Sequence, residues 1–247
     1  MPKAALILVD VQYDFLPPDG ALAVPNGREI LPVIEGLLNR DEWDWPVIIA
    51  SQDYHPPKHI SFASSHPPHE PFSKPSLTNA NGEEYEQTLW PDHCVQGTIG
   101  AAIEKGVRHQ IKVWGDRVKI VRKGSNIGIE AYSAFEGYLT EAIDPAEPPS
   151  DHEPQPAESP LTRDLRDNGV DTVVIVGLAS DFCVKSTALS AIDASFRTIL
   201  VAPGMRGISS SDERDAWAKI EGLGGLVVGK EGQGGWERRL RDIVGSH

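Results

Sequence analysis

Short apolar runs rich in Val and Ile recur along the chain, each cut off by turn residues: AALILV (Ala4–Val9), VIIAS (Val47–Ser51), RVKIV (Arg117–Val121), DTVVIVGL (Asp171–Leu178), RTILVA (Arg197–Ala202) and GLVVG (Gly225–Gly229). Between most of them the apolar spacing lengthens to that of a helix. This happens near Arg28–Asn39, in YSAFEGYLTEAI, from Cys183 with Val184, Ala188 and Ile192 on one side, near Asp212–Glu221, and in GWERRLRDIV. Continuous apolar runs suit strands buried on both faces, and their alternation with helices predicts a parallel sheet. The expected fold class is therefore α/β: a three-layer α/β/α, doubly wound arrangement around a mostly parallel six-stranded sheet.

One segment breaks the rhythm. DPAEPPSDHEPQPAESP (Asp144–Pro160) is acidic and proline-rich and cannot build a core, so it is expected as a solvated loop inserted into a single domain spanning 1–247. A chain of 247 residues, 40% hydrophobic and 24% charged, is ordinary for a soluble globular protein with a sizeable core. Its net charge of −13 argues against nucleic acid or an anionic membrane as partner, and no stretch nears a membrane-spanning length. Two cysteines cannot staple a fold of this size, and Asp10 interrupts the first apolar run. A first strand rather than a signal peptide is expected, in a cytoplasmic setting with nucleus and peroxisome left open.

In an open parallel sheet, ligands gather outside the carboxyl ends of the strands where the strand order reverses. That rule nominates Asp10, Asp53, Lys123 and the residues after Gly177 for one crevice. Cys183 falls just after a strand and near a helix start, where the dipole favours a thiolate and unpaired backbone N–H groups can hold an oxyanion. The alternative is a small hydrophobe packing strand on helix. Asp10 could take the thiol proton and Lys123 could steady the developing anion, although each, alone, could equally be a turn cap or a solvated side chain.

The loop SQDYHPPKHISFASSHPPHEPF adds metal chemistry. Asp53 and His55, two apart after a buried strand, with His93 of WPDHC as a distant third donor, suit zinc or ferrous iron and leave positions open for water or substrate. His59 is either a fourth ligand or a group packed behind the ligands. Phe15, Trp90, Tyr132 and Phe182 each adjoin a chemical candidate and could wall a flat ring, or simply fill core.

Taken together and in order, ALILVDVQYDF, SQDYHPPKHISFA, LWPDHCVQGTIGA, RKG, AYSAF and GLASDFCVKSTALSA resemble the nicotinamidases of the isochorismatase-like hydrolase superfamily, in their long fungal form. The resemblance implies a triad of Cys183 as nucleophile, Asp10 as base and Lys123. It implies one divalent metal, zinc ahead of iron, on Asp53, His55 and His93. It further implies a cis peptide at Leu178–Ala179, backbone oxyanion donors at Ala179 and Cys183, and a ring pocket of Phe15, Trp90, Tyr132 and Phe182. Two departures stand out: Tyr54 replaces the family's usual Trp, and Phe182 a frequent Tyr.

The activity so implied is hydrolysis of nicotinamide to nicotinate and ammonia through a cysteine thioester, in NAD salvage, with pyrazinamide also accepted. Nicotinamide is then the small-molecule partner, and assembly into a homo-oligomer stays open. Cys94 is expected to be structural. The alternatives are another cysteine amidase on the same fold, acting on a different small amide, and an inactive ligand-binding homologue.

Overall fold

The computed structural model describes residues 3–78, 84–141, 143 and 158–245. Nine strands are found among them: β1 (Ala4–Val9), β2 (Val47–Asp53), β3 (Ser76–Thr78), β4 (Glu84–Glu86), β5 (Val118–Lys123), β6 (Tyr138–Thr140), β7 (Thr172–Leu178), β8 (Arg197–Arg206) and β9 (Leu226–Val228). The α-helices are α1 (Leu31–Leu37), α2 (Lys105–Lys112), α3 (Pro160–Asp167), α4 (Cys183–Asp193), α5 (Ser210–Gly222) and α6 (Trp236–Val244).

The main sheet runs β6-β5-β2-β1-β7-β8-β9, with every pairing parallel except β5 with β6. Its strands β1, β2 and β7 are buried along their whole length, as the unbroken apolar runs require. Alternate side chains feed two cores. Leu6, Leu8, Ile48 and Val174 point toward Ile34 and Leu37 of α1, Ile111 of α2 and Leu240 of α6. Ile7, Ile49, Val173 and Ile175 face Leu165 of α3, Val184 and Ala188 of α4 and Ile220 of α5. Helices thus cover both faces, which makes the three layers.

The sheet has seven strands where six were expected. The added one, β6, lies in YSAFEGYLTEAI, which the apolar spacing assigned to a helix. A capping box of Ser133 and Glu136 closes only a 3₁₀ turn there. Gly137 then packs so tightly on β5 that a Cβ would come within 2.5 Å of Val121, and the next residues pair antiparallel with the edge. Of the proposed acidic loop, 144–157 lies outside the described residues; from Ser159, whose side chain caps α3, the helix is in place with Pro160 at its start.

Strand order reverses at β1, whose neighbours are β2 and β7. Asp10 follows the last residue of β1, Asp53 and Lys123 end the paired strands β2 and β5, and β7 leads through a short turn to Cys183, first residue of α4. The topology therefore delivers four distant side chains to one edge.

Candidate active site

Lys123 is the hub. Its ammonium, fully buried, hydrogen-bonds Asp53, lies 2.9 Å from Oδ2 of Asp10 and 3.3 Å from Sγ of Cys183, and donates to the Ala131 carbonyl at 3.3 Å. Burial alone would pull its pKa down, but Asp10 and Asp53 outweigh that and hold it well above the ordinary lysine range. The two carboxylates diverge. Burial lifts Asp10 above its usual range, opposed by Lys123 and helped by the charge of Asp53. Burial also works to raise Asp53, yet Lys123 and the two neighbouring histidines hold it well below that range.

Asp10 has φ +48°, and Ser51 fixes it from β2: the Ser51 hydroxyl donates to Oδ1 at 2.6 Å. Oδ2 faces the ammonium in a buried site but makes no hydrogen bond of ordinary geometry. One oxygen each of Asp10 and Asp53 and the sulfur of Cys183 lie within 4.8 Å of one another. Helix-start placement was expected to favour the Cys183 thiolate. Instead burial drives the thiol well above its usual range, and the two carboxylates add to that against Lys123. Here desolvation and two nearby negative charges act against the placement at the helix start.

The backbone at Cys183 is specialised. The Leu178–Ala179 peptide is cis. Phe182 and Val184 both donate their N–H to the Ala179 carbonyl, at 3.0 and 3.1 Å, which leaves the N–H of Cys183 between them outside that pattern, in a helix's first turn.

Beside this group, Asp53, His55 and His93 each turn a donor atom inward. Nε2 of His55 and Nε2 of His93 lie 3.8 and 3.7 Å from Oδ2 of Asp53, too long for hydrogen bonds and suited to sharing a cation between them. Nδ1 of His55 meets the Gly124 carbonyl at 2.9 Å and Nδ1 of His93 meets the Pro91 carbonyl at 2.8 Å. A carbonyl can only accept, so both Nδ1 atoms carry hydrogen and both Nε2 lone pairs face inward when the rings are neutral. Nε2 of His55 is buried with no hydrogen-bond partner. Two imidazoles and one carboxylate with an orphaned buried lone pair fit a divalent metal.

His93 reaches Asp53 because the loop 90–103 is stitched alongside: His55 pairs with Val95, and Gln12 with Ile103. His59 behaves differently. Its Nε2 meets the Ile129 carbonyl at 3.1 Å, while Nδ1 accepts from Ser61, and its ring centroid lies 4.2 Å from that of His55, the planes tilted by 33°. Both nitrogens are engaged, and with His55 and Glu130 the ring forms a second group whose donor atoms lie within 4.8 Å of one another. Burial, then the neighbouring His55, lowers its pKa to about 4.

Phe15, Trp90, Tyr132 and Phe182 all line one cleft with Asp53, His93, Ala179 and Cys183. Trp90 and Phe182 meet edge to face at 4.9 Å, and the Trp90 indole donates to the Tyr132 hydroxyl at 3.1 Å. Tyr54 is absent from that lining and lies under the Arg122 guanidinium at 4.1 Å, so its departure from Trp falls outside the cleft wall. Cys94 is buried, with its sulfur 3.9 Å from the Gly100 carbonyl, and burial raises its thiol well above the usual range. Sequence reasoning did not single out Ser51, Gly124, Leu22, Val24, Glu130 or Ile208, the last four also lining the cleft. It also missed Gln12, whose amide clamps Asp53 by accepting its N–H and donating to its carbonyl, both at 2.8 Å.

The isochorismatase-domain model matches residues 156–231, the stretch that holds β7, β8 and β9. Over a longer span, the nicotinamidase of Escherichia coli is 35% identical across 90% of this chain and 91% of its own. The structure of the yeast nicotinamidase Pnc1p bound to the inhibitor nicotinaldehyde superimposes with a TM-score of 0.78 at 31% identity, covering 92% of this chain and 100% of the other. A pyrazinamidase of Pyrococcus horikoshii in complex with zinc gives 0.66 at 32% identity, with coverage of 92% and 99%. The chain belongs to the nicotinamidase family.

Proposed function

We propose that this chain hydrolyses nicotinamide to nicotinate and ammonia, in NAD salvage, with Cys183 as nucleophile, Asp10 as proton carrier and Lys123 as electrostatic support. One observation carries this: Cys183, which meets Asp10 and Lys123 behind it, lines the same aromatic-walled cleft as Asp53 and His93 of the donor set. Asp53, His55 and His93 would hold a divalent metal, zinc ahead of iron, because the set contains no thiolate and offers borderline nitrogens. When bound, such an ion supplies a docking point for a ring nitrogen and for water.

The protein's own groups perform the acyl transfer. Cys183 rests as a thiol, so its proton passes to Asp10 as sulfur adds to the carboxamide carbon. The raised affinity of Asp10 for a proton suits it to that step, and Lys123 stays charged beside both groups. Backbone N–H groups of Ala179 and Cys183 receive the oxyanion. The carbon–nitrogen bond then breaks, Asp10 returns the proton to the leaving amine, and ammonia departs from a thioester. Water, deprotonated by Asp10, adds to that thioester. The carbon–sulfur bond breaks, and the proton on Asp10 restores the thiol.

The proposal extends to one domain acting on a small molecule in the cytoplasm. No described helix is long and apolar enough to cross a membrane. The test is ammonia release from nicotinamide by purified protein, before and after chelation. Release that chelation suppresses and zinc or iron restores is expected; none with metal supplied would move the activity to another amide.

A further inference from the structure

A carboxylate with no part in the acyl transfer ties the nucleophile's loop to the end of β8. Asp181, two residues before Cys183, is only 1% exposed. Its Oδ1 accepts the N–H of Ile208 at 3.1 Å and its Oδ2 that of Ser209 at 2.9 Å, at the entry to α5 where negative charge is favoured. The contact continues on either side. Ser180 donates its N–H to the Arg206 carbonyl at 2.9 Å and its hydroxyl to Glu213, in α5, at 2.6 Å. Gly207 closes the gap: a Cβ there would sit 2.8 Å from Oγ of Ser180 and 3.2 Å from Cγ of Asp181.

Ile208 is the side chain this contact presents to the cleft, which it lines with Tyr132, Phe182 and Cys183. It is only partly buried and packs on the core from a loop. Its place is set by the backbone held at its own N–H and at the next. Two successive N–H groups need two acceptor oxygens, which aspartate has. Asparagine has one, and would turn its amide hydrogens toward the other N–H.

We propose that Asp181 is a positioning residue that holds Ile208 against the substrate ring, and so sets how large a ring the cleft admits. This rests on nicotinamide being the substrate. The test measures kcat and KM for nicotinamide and for a ring-methylated nicotinamide, with thermal unfolding alongside. Ile208→Ala should raise the ratio of kcat/KM, methylated over parent, about tenfold, the scale of one or two methyl groups in an apolar pocket.

Asp181→Asn should move that ratio the same way by about threefold or more, mainly through KM. The double variant should go no further than Ile208→Ala alone, since both act on one contact. Gly207→Ala, whose Cβ crowds the Ser180 hydroxyl and the Asp181 carboxylate without removing either, should shift the ratio likewise, and serves if Asp181→Asn does not fold. Equal loss on both amides in Asp181→Asn, or an additive double variant, would overturn the proposal while leaving nicotinamide hydrolysis intact. No turnover of nicotinamide by the unaltered protein would remove the underlying activity and the proposal together.

Discussion

Gly124→Ala offers a sharp test of the donor trio because it alters no donor. Gly124 has φ +63°, and its carbonyl receives Nδ1–H of His55. A Cβ there would stand 2.3 Å from Cε1 of His55 and 2.6 Å from its Nδ1, against 3.4 Å or more for ordinary contact. The ring must retreat by about 1 Å, whereas metal–ligand distances tolerate about 0.2 Å. Disturbing a group that orients a ligand lowers metal affinity by roughly 10- to 100-fold, or about 1.4–2.8 kcal/mol. A left-handed alanine costs a further ~1–2 kcal/mol of fold stability. Competition for zinc against a chromophoric chelator, with unfolding of the metal-free protein in parallel, separates the two effects. If the variant folds and binds zinc within about twofold of the unaltered protein, His55 is not a ligand and the trio is wrong.

Cys183→Ala should abolish ammonia release, whereas Cys94→Ala should keep most of it; equal losses with both proteins folded would contradict the assignment of the nucleophile. Pyrazinamide, which retains a ring nitrogen at the same position, should be hydrolysed and benzamide should not; comparable rates on the two would remove the ring nitrogen from recognition. His59, held neutral with a folded pKa of about 4 against 6.5 unfolded, contributes stability that is present above pH 6.5 and is lost as pH falls toward 4. The full effect is at most about 3 kcal/mol. Acid titration of the metal-free protein should therefore show a shallower loss in His59→Gln than in the unaltered chain, and identical slopes would refute the buried neutral imidazole.

The strands were legible because burial on both faces writes itself as unbroken apolar runs, and strand ends then located Asp10, Asp53, Lys123 and Cys183. Elements that bury little were not. The β3–β4 hairpin alternates exposed and half-buried residues, and α2 buries only Val107 and Ile111. Strand β6 was hidden because its helix-like spacing is overridden by Gly137 and by a free sheet edge. His93 was read from WPDHC as a distant third donor, and motif resemblance supplied the cis peptide. Gln12, Gly124 and Asp181 stayed invisible for a common reason: each acts through backbone groups that carry no residue-type signal. Helix position, a local feature, favours the Cys183 thiolate, whereas burial and then the two carboxylates arriving from β1 and β2 act the other way.

Those two carboxylates show how one lysine can serve two chemistries. Lys123 touches both, yet Asp53 takes a true hydrogen bond from it and has two imidazoles alongside. Asp10 faces the same ammonium at 2.9 Å and takes the Ser51 hydroxyl, in a fully desolvated position with no imidazole alongside. The stronger partners go to Asp53, which stays ionised over the working range, as a metal ligand must. What remains for Asp10 is insufficient to offset burial, and a carboxylate that binds protons more readily than usual is what a thiol held above its ordinary pKa requires of a base. Exchanging the partners would spoil both roles at once: a proton-hungry Asp53 would compete with the metal, and a fully satisfied Asp10 could not take the proton from Cys183. Removing the ammonium with Lys123→Met should therefore impair metal affinity and acylation together, even though Lys123 is neither ligand nor base. Loss of acylation with zinc affinity unchanged would show that the two carboxylates are set independently.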